Sequence, residues 1–259
     1  MKKIFAVLIA TLTISFYGCA SADEERPVLV MGTTADFPPF EFIAEGGQGR
    51  HGQYDGVDIA IAVRIAEHVG ADLIIQDTDF NGLIMALNGG NIDFIAAAMT
   101  ITPERAEQVS FSKPYFTAMQ YIVVHADNED IKSASDLAGM LIGVQIGSTG
   151  DFFATEHFES VEPIRYNRAN EAFMALRSGQ IDAVIIDSAT ALMFVGAAND
   201  GELAIVRDYL AFEGEYYGIA VRQGDTKLLE AINEVITKMQ DTGEIYELFS
   251  YFSDQFTQD

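Results

Sequence analysis

The chain has 259 residues, enough for one large domain or two lobes of ordinary size, and 49% apolar residues can fill a core. Gly outnumbers Pro, 22 to 6, which suits many short turns and argues against a disordered chain. The net charge of −24 sets double-stranded nucleic acid aside as a partner, because nothing basic could track its phosphates.

The first nineteen residues read as an address. Lys2 and Lys3 form a positive n-region, and Ile4–Phe16 is an apolar run too short to span a bilayer comfortably. Gly18-Cys19 follows, and Cys19 is the single cysteine, so no intrachain disulfide can form. This start resembles a bacterial lipoprotein signal: residues 1–18 would be removed, Cys19 lipidated, and 19–26 left as a polar tether. The alternative is an ordinary signal peptide cut later, near Ala20-Ser21-Ala22. Both export the chain.

Val28–Thr33 reads as the first strand, Asp36–Phe40 as a turn stiffened by two prolines, and Glu41–Ile43 as extended. Ala44–Gln53 is a Gly-rich loop. Apolar residues at helical spacing predict a helix over Asp55–Val69, stopped by Gly70. Leu73–Gln76 is a strand and Asn81–Leu87 a helix. The apolar run Ile92–Ala98 predicts a buried parallel strand. After it, Thr102 and Pro103 open a short helix that carries Arg105 just beyond the strand's carboxyl end. In open α/β sheets ligands bind outside those ends, and a fixed guanidinium there is a receptor for a carboxylate. The second third repeats the alternation. Tyr121–His125 is extended and Ser135–Ala138 is a helical turn. Strands follow at Leu141–Gln145, near Val161–Arg165 and at Ile181–Ile186, with helices at Asp151–Phe158, Ala169–Leu176 and Ser188–Val195. Tyr216–Val221 is a strand, and Asp225–Met239 and Glu244–Phe252 are amphipathic helices.

There is an internal repeat. Asn81–Ile95, NGLIMALNGGNIDFI, aligns without a gap on Asn170–Val184, NEAFMALRSGQIDAV. It implies two lobes built alike, and it sets Ala98 opposite Asp187 at the ends of equivalent strands. Two such ends facing each other make a cleft, with Arg105 offering a positive charge and Asp187 a negative one. Asp93 and Asp182 occupy matching positions and read as turn or strand-start residues.

Gly47–Gly52 is a literal G-x-G-x-x-G, but its flanks read as a hairpin loop, without the strand-to-helix junction a dinucleotide requires. Gly147–Asp151 lies at such a junction, where free N–H groups suit an anion; a simple cap by Ser148 or Thr149 is the alternative. His51, His68, His125 and His157 are scattered without metal-ligand spacing, so no metal or cofactor is expected. No nucleophile elbow appears. Phe37 and Phe80 share strand carboxyl ends and could sandwich a ligand.

The run of MGTTADFPPFEF, DGVDIAIAVRIAEHVG, TITPERAEQVSFSKPY (Thr100–Tyr115), IGSTGDFFA and SGQIDAVIIDS resembles the extracytoplasmic amino-acid-binding proteins of ABC importers, the family 3 solute-binding proteins. The likeness covers the mature chain. It implies an α/β fold of two Rossmann-like lobes joined by two extended crossovers, the type II periplasmic-binding-protein fold. Lobe 1 would comprise 27–117 and 214–259, and lobe 2 residues 121–212, with hinge crossovers near 118–125 and 211–217. The family's contacts, carried over by position, make Arg105 the partner of an α-carboxylate, with the N–H groups of Thr100 and Thr149 and with Ser148 nearby. Asp187 and the Ala98 carbonyl would take the α-ammonium. Phe37 and Phe80 would wall the pocket. Thr34 stands where lysine/arginine-type binders carry an acid, so with Ala97-Ala98 it points to a neutral side chain, Asp36 keeping the question open.

The implied function is capture of a free L-amino acid and delivery to an ABC permease, by a monomer outside the cytoplasm anchored through Cys19, with no catalytic residue. One alternative is a periplasmic cyclohexadienyl dehydratase, for which Glu213 or Glu215 would serve as acid, although both read as exposed loop carboxylates. The other is a ligand-sensing partner of a receptor; the end at Asp259 without a transmembrane helix argues against a fused sensor.

Overall fold

The computed structural model describes residues 26–157, 163–196, 201–206, 208 and 214–257. The expectations for the signal segment, Cys19, nearly all of the tether, Glu213 and the first part of the second crossover lie outside the described residues.

The first lobe carries a five-stranded sheet. Its strands are β1 (Val28–Thr33), β5 (Asp72–Asp77), β6 (Phe94–Ile95), β7 (Val109–Phe111) and β15 (Ala220–Arg222), in the order β5-β1-β6-β15-β7. β1 runs parallel to β5 and β6, whereas β15 is antiparallel to β6 and β7. A small sheet of β2 (Asp36–Phe37), β3 (Glu41–Ile43) and β4 (Tyr54–Asp55) follows β1. β3 and β4 flank the Gly-rich loop as a hairpin, which disposes of the dinucleotide motif. Helices α1 (Val57–Val69), α2 (Leu83–Asn88), α3 (Pro103–Ala106), α7 (Thr226–Thr242) and α8 (Glu244–Thr257) complete the lobe.

The second lobe repeats the plan. Its sheet has the order β11-β10-β12-β9-β13, from β9 (Gln120–His125), β10 (Ile142–Gln145), β11 (Ile164–Tyr166), β12 (Ala183–Asp187) and β13 (Leu203–Val206). β10 is parallel to β11 and β12, and β9 is antiparallel to β12 and β13. α4 (Thr149–His157), α5 (Ala169–Arg177) and α6 (Ser188–Gly196) cover it. The fourth strand of each sheet is the one that enters from the other lobe, and it is the antiparallel one. A ribbon of β8 (Phe116–Ala118) and β14 (Glu215–Tyr217), antiparallel to each other, links the two halves.

The internal repeat is visible in the register. Phe94 and Ile95 pair with Met31 and Gly32, and their counterparts Ala183 and Val184 pair with Ile142 and Gly143. Asp93 and Asp182 do the same local job. Each accepts a backbone N–H through its carboxylate, from Val30 at 2.8 Å and Leu141 at 2.7 Å, and each donates its own N–H back to that residue's carbonyl. They lock the start of one strand to its neighbour.

Three differences from the sequence reading bear on the site. Asp55 belongs to β4, and α1 begins at Val57, because Gly56 turns the chain at φ 126°, with Phe40 O 2.2 Å from where a Cβ would stand. The strand expected over Tyr216–Val221 divides into β14 and β15 where Gly218 donates its N–H to Met99 O at 3.0 Å. The strand expected over Ile92–Ala98 is confined to Phe94–Ile95; beyond it Ala96 still donates its N–H to Gly32 O at 3.2 Å, and Ala98 takes φ 45°.

A core of aromatic rings packs beneath the ribbon. Phe40 meets Phe116 at 4.9 Å and Tyr217 at 5.1 Å between centroids, both edge-on, and Phe116 meets Phe249 at 4.9 Å. Edge-on contacts set the positive ring edge against a negative face, adding to what burial alone contributes.

Candidate functional site

The site is assembled from strand ends. Beyond β6 the chain runs through Ala97, Ala98 and Thr100 to α3, where the Thr102 side chain accepts the Arg105 N–H at 3.2 Å as N-cap. That cap, with Pro103 at the first helical position, fixes where Arg105 leaves the backbone. Its guanidinium is buried and donates to Thr100 O at 2.7 Å and to Gly147 O, in the other lobe, at 2.9 Å. It lies over the Phe80 ring at 5.3 Å. Two of its five N–H donors fix its plane, which leaves three for a ligand. Burial pushes its pKa down to about 10, while Asp187 and Glu215 pull it back up. It stays charged at neutral pH.

From the other lobe, β12 delivers Asp187 at its carboxyl end, buried and hydrogen-bonded by the Gln120 amide. Burial, then the nearby Glu215 charge, raises its pKa to about 8, against the opposing pull of Tyr217, Gln120 and Arg105. At the start of α4, Ser148 Oγ accepts the Asp151 N–H at 3.1 Å, so the expected cap forms. Thr149 Oγ1 instead donates to Glu215 at 2.7 Å.

One cavity is lined by Thr34, Phe37, Phe80, Ala98, Thr100, Arg105, Ser148, Thr149 and Asp187, together with Glu41, Ala97, Gln120, Gln145, Gly150, Ile185 and Ile186. The structure therefore brings all nine sequence-derived residues to one place. Thr34 directs its hydroxyl away, donating to Thr78 O at 2.8 Å. His51 lies in the Gly-rich loop, His68 in α1 and His125 in β9, and position 157 falls at the end of α4.

Glu41 was missed. It is 1% exposed, lines the cavity, and its Oε2 has no hydrogen-bond partner among the described residues. Burial raises its pKa well above the ordinary carboxylate range, and Asp58, Asp36 and Asp187 add to the rise. An acid between two aromatic residues, Phe40 and Phe42, was the signal available. Glu215 is a correction. It is half-buried rather than an exposed loop carboxylate, and it accepts from Thr100 Oγ1 at 2.8 Å, Thr149 Oγ1 at 2.7 Å and the Gln120 amide at 3.3 Å. It thereby ties hydroxyls from both lobes beside the cavity. Outside the cavity, Arg168 at the start of α5 reaches Asp77 at 2.8 Å and Asp79 at 3.3 Å across the cleft.

The lining thus carries one guanidinium and two carboxylates, all buried, where charge is felt more strongly than in bulk water. It complements a small molecule with one negative group and two positive ones.

Comparison with known proteins agrees with this architecture. The chain is 34% identical to the arginine-binding extracellular protein ArtP of Bacillus subtilis (strain 168), over 96% of each chain. It is 30% identical to the L-cystine-binding protein TcyJ of Escherichia coli (strain K12), over 96% of this chain and 92% of that one. The crystal structure of a P235GK mutant of ArgBP from T. maritima superimposes with a TM-score of 0.80 at 42% identity, covering 87% of this chain and 94% of the other. The model of the bacterial extracellular solute-binding proteins, family 3, matches residues 29–255. With that match across nearly the whole chain, and two α/β lobes enclosing a charged cavity, the protein belongs to the family 3 bacterial extracellular solute-binding proteins.

Proposed function

We propose that this protein captures an L-amino acid with a cationic side chain, arginine or lysine, and delivers it to an ABC permease. The observation that carries the reading is Glu41, a buried carboxylate lining the cavity with one oxygen unpartnered. A buried charge is tolerated when it is paired, and a ligand cation supplies the pair. Arg105 holds the α-carboxylate, joined by the N–H groups of Thr100 and Thr149. Asp187 and the Ala98 carbonyl take the α-ammonium, and Glu41 the side-chain cation, between the walls of Phe37 and Phe80. This departs from the neutral side chain that Thr34 and Ala97-Ala98 implied: the acid missing at Thr34 is supplied from β3. The names of the Bacillus subtilis and T. maritima relatives point the same way.

Closure is part of the reading. The lobes span 27–117 with 214–259 and 121–212, and the crossovers near 118–125 and 211–217 act as hinges, consistent with the β8–β14 ribbon between the sheets. Arg105 and Asp187 come from opposite sides, so the ligand bridges them and binding stabilises the closed form. Cys19 carries a lipid anchor, which fatty-acid labelling lost in Cys19→Ser would check. The dehydratase alternative finds little support, since Glu215 is engaged as an acceptor by three donors and is not part of the cavity wall.

Titration calorimetry against the twenty amino acids and citrulline tests the reading. Arginine or lysine should bind tightest and citrulline, which is neutral, at least tenfold more weakly. Glu41→Gln should shrink that gap, and Arg105→Ala should abolish binding with the fold intact. Preference for a neutral or acidic amino acid would overturn it.

A further inference from the structure

Ala98 is the one non-glycine residue with positive φ, 45°, among the described residues. L-residues with a Cβ avoid this region unless something holds them there. What holds Ala98 is Asp58, in the first turn of α1. Its Oδ2 accepts the Ala98 N–H at 2.8 Å and, at the same time, the Tyr115 O–H at 2.8 Å. Asp58 is 0% exposed and Tyr115 4%, and neither lines the cavity. An acid in a first helical turn commonly serves its own helix. The bonds of Asp58 instead reach 40 and 57 residues along the chain, and its Oδ1 has no partner among the described residues.

We propose that Asp58, braced by Tyr115, is a positioning residue for the ligand's ammonium group. By taking the Ala98 N–H it keeps Ala98 out of the ladder of β6, which ends at Ile95, although Phe94–Ala98 is wholly apolar. It holds Ala98 in the left-handed turn with which that residue lines the cavity, and the Ala98 carbonyl is the group to which the proposed function gives the ammonium. If the strand continued, that N–H would enter the sheet ladder, and alternate carbonyls would point along the sheet. The acid is therefore what converts a strand end into a receptor. Burial raises the Asp58 pKa to about 7, and the two bonds it accepts, from Ala98 N–H and Tyr115 O–H, pull the other way.

The inference rests on the amino-acid reading of the cavity, and its test separates the two. The probes are L-arginine and 5-guanidinopentanoate, which lacks only the α-ammonium. Calorimetry on the wild type gives the ratio of their affinities. In Asp58→Ala that ratio should fall at least tenfold, mostly by loss of arginine affinity. In Tyr115→Phe, which removes one brace and leaves little cavity, it should fall about threefold. If Asp58→Ala does not fold, Tyr115→Phe decides. Equal loss for both probes, or no change in the ratio, would show Asp58 to be a packing residue and overturn the inference. A wild type that binds no amino acid would instead sink the functional reading.

Discussion

At the residue scale, the site is a set of buried ionisable groups, Arg105, Asp187 and Glu41. Asp187 and Glu41 both have raised pKa values, Asp187 about 8, with burial as the leading cause. A cationic group binds each carboxylate in its ionised form. Below about pH 8 the free protein holds a proton on Asp187 that binding must expel. Affinity should therefore rise with pH between 6 and 8, by up to about tenfold per unit for each proton released, and then level off. Calorimetry in two buffers of different ionisation heat counts that proton directly. A pH-independent affinity with no proton exchange would mean that neither carboxylate changes state on binding.

At the element scale, the two lobes solve one packing problem twice. In β1, Gly32 lies under Ile92, whose Cδ1 is 2.3 Å from where a Cβ would stand. In β10, Gly143 lies under Ile181 at 2.5 Å in the same sense. Ile92 and Ile181 are partners in the repeat, so each lobe uses a strand glycine to seat the isoleucine that precedes its next strand. Gly32→Ala and Gly143→Ala should each destabilise by about 1–3 kcal/mol, the scale of an overpacked core. Urea unfolding would read this as a lower midpoint at unchanged slope, and a neutral result in either would show that the isoleucine can move aside. The helix–turn–strand unit was legible because helical spacing, a glycine stop and an apolar run coincide. β7, β8 and β13 were not, since strands of three or four residues carry too little alternation to stand out.

At the scale of the whole molecule, acidity dominates. The net charge is −24, and among the described residues four carboxylates have raised pKa values: Asp36 about 6, Asp58 about 7, Asp187 about 8, and Glu41 well above the ordinary carboxylate range. Desolvation is the leading cause for each. A carboxyl whose folded pKa lies above its unfolded value binds its proton more tightly in the folded state. Stability is then lost as pH rises from the unfolded value through the folded one. The ligand-free protein should melt higher at pH 6 than at pH 8, and a scanning-calorimetry series showing the reverse would mean that these groups ionise freely in the fold. The cross-cleft pairs of Arg168 with Asp77 and Asp79 are partly exposed and contribute little to that total.

The sequence by itself determined the two-lobed α/β plan, the repeat, and the strand-end positions of Arg105 and Asp187, because these follow from periodicity and from the rule that parallel strands end on one side. The tertiary structure alone decided which acids share the pocket. Glu41, in the cavity wall, is marked in the sequence only by its two aromatic neighbours, and Glu215, beside the cavity, by nothing local; what matters is their burial and the company they keep. It also decided the turn at Ala98, whose N–H goes to an aspartate 40 residues earlier and not to the sheet. Burial and long-range pairing depend on how distant segments meet, and a linear pattern does not encode that meeting.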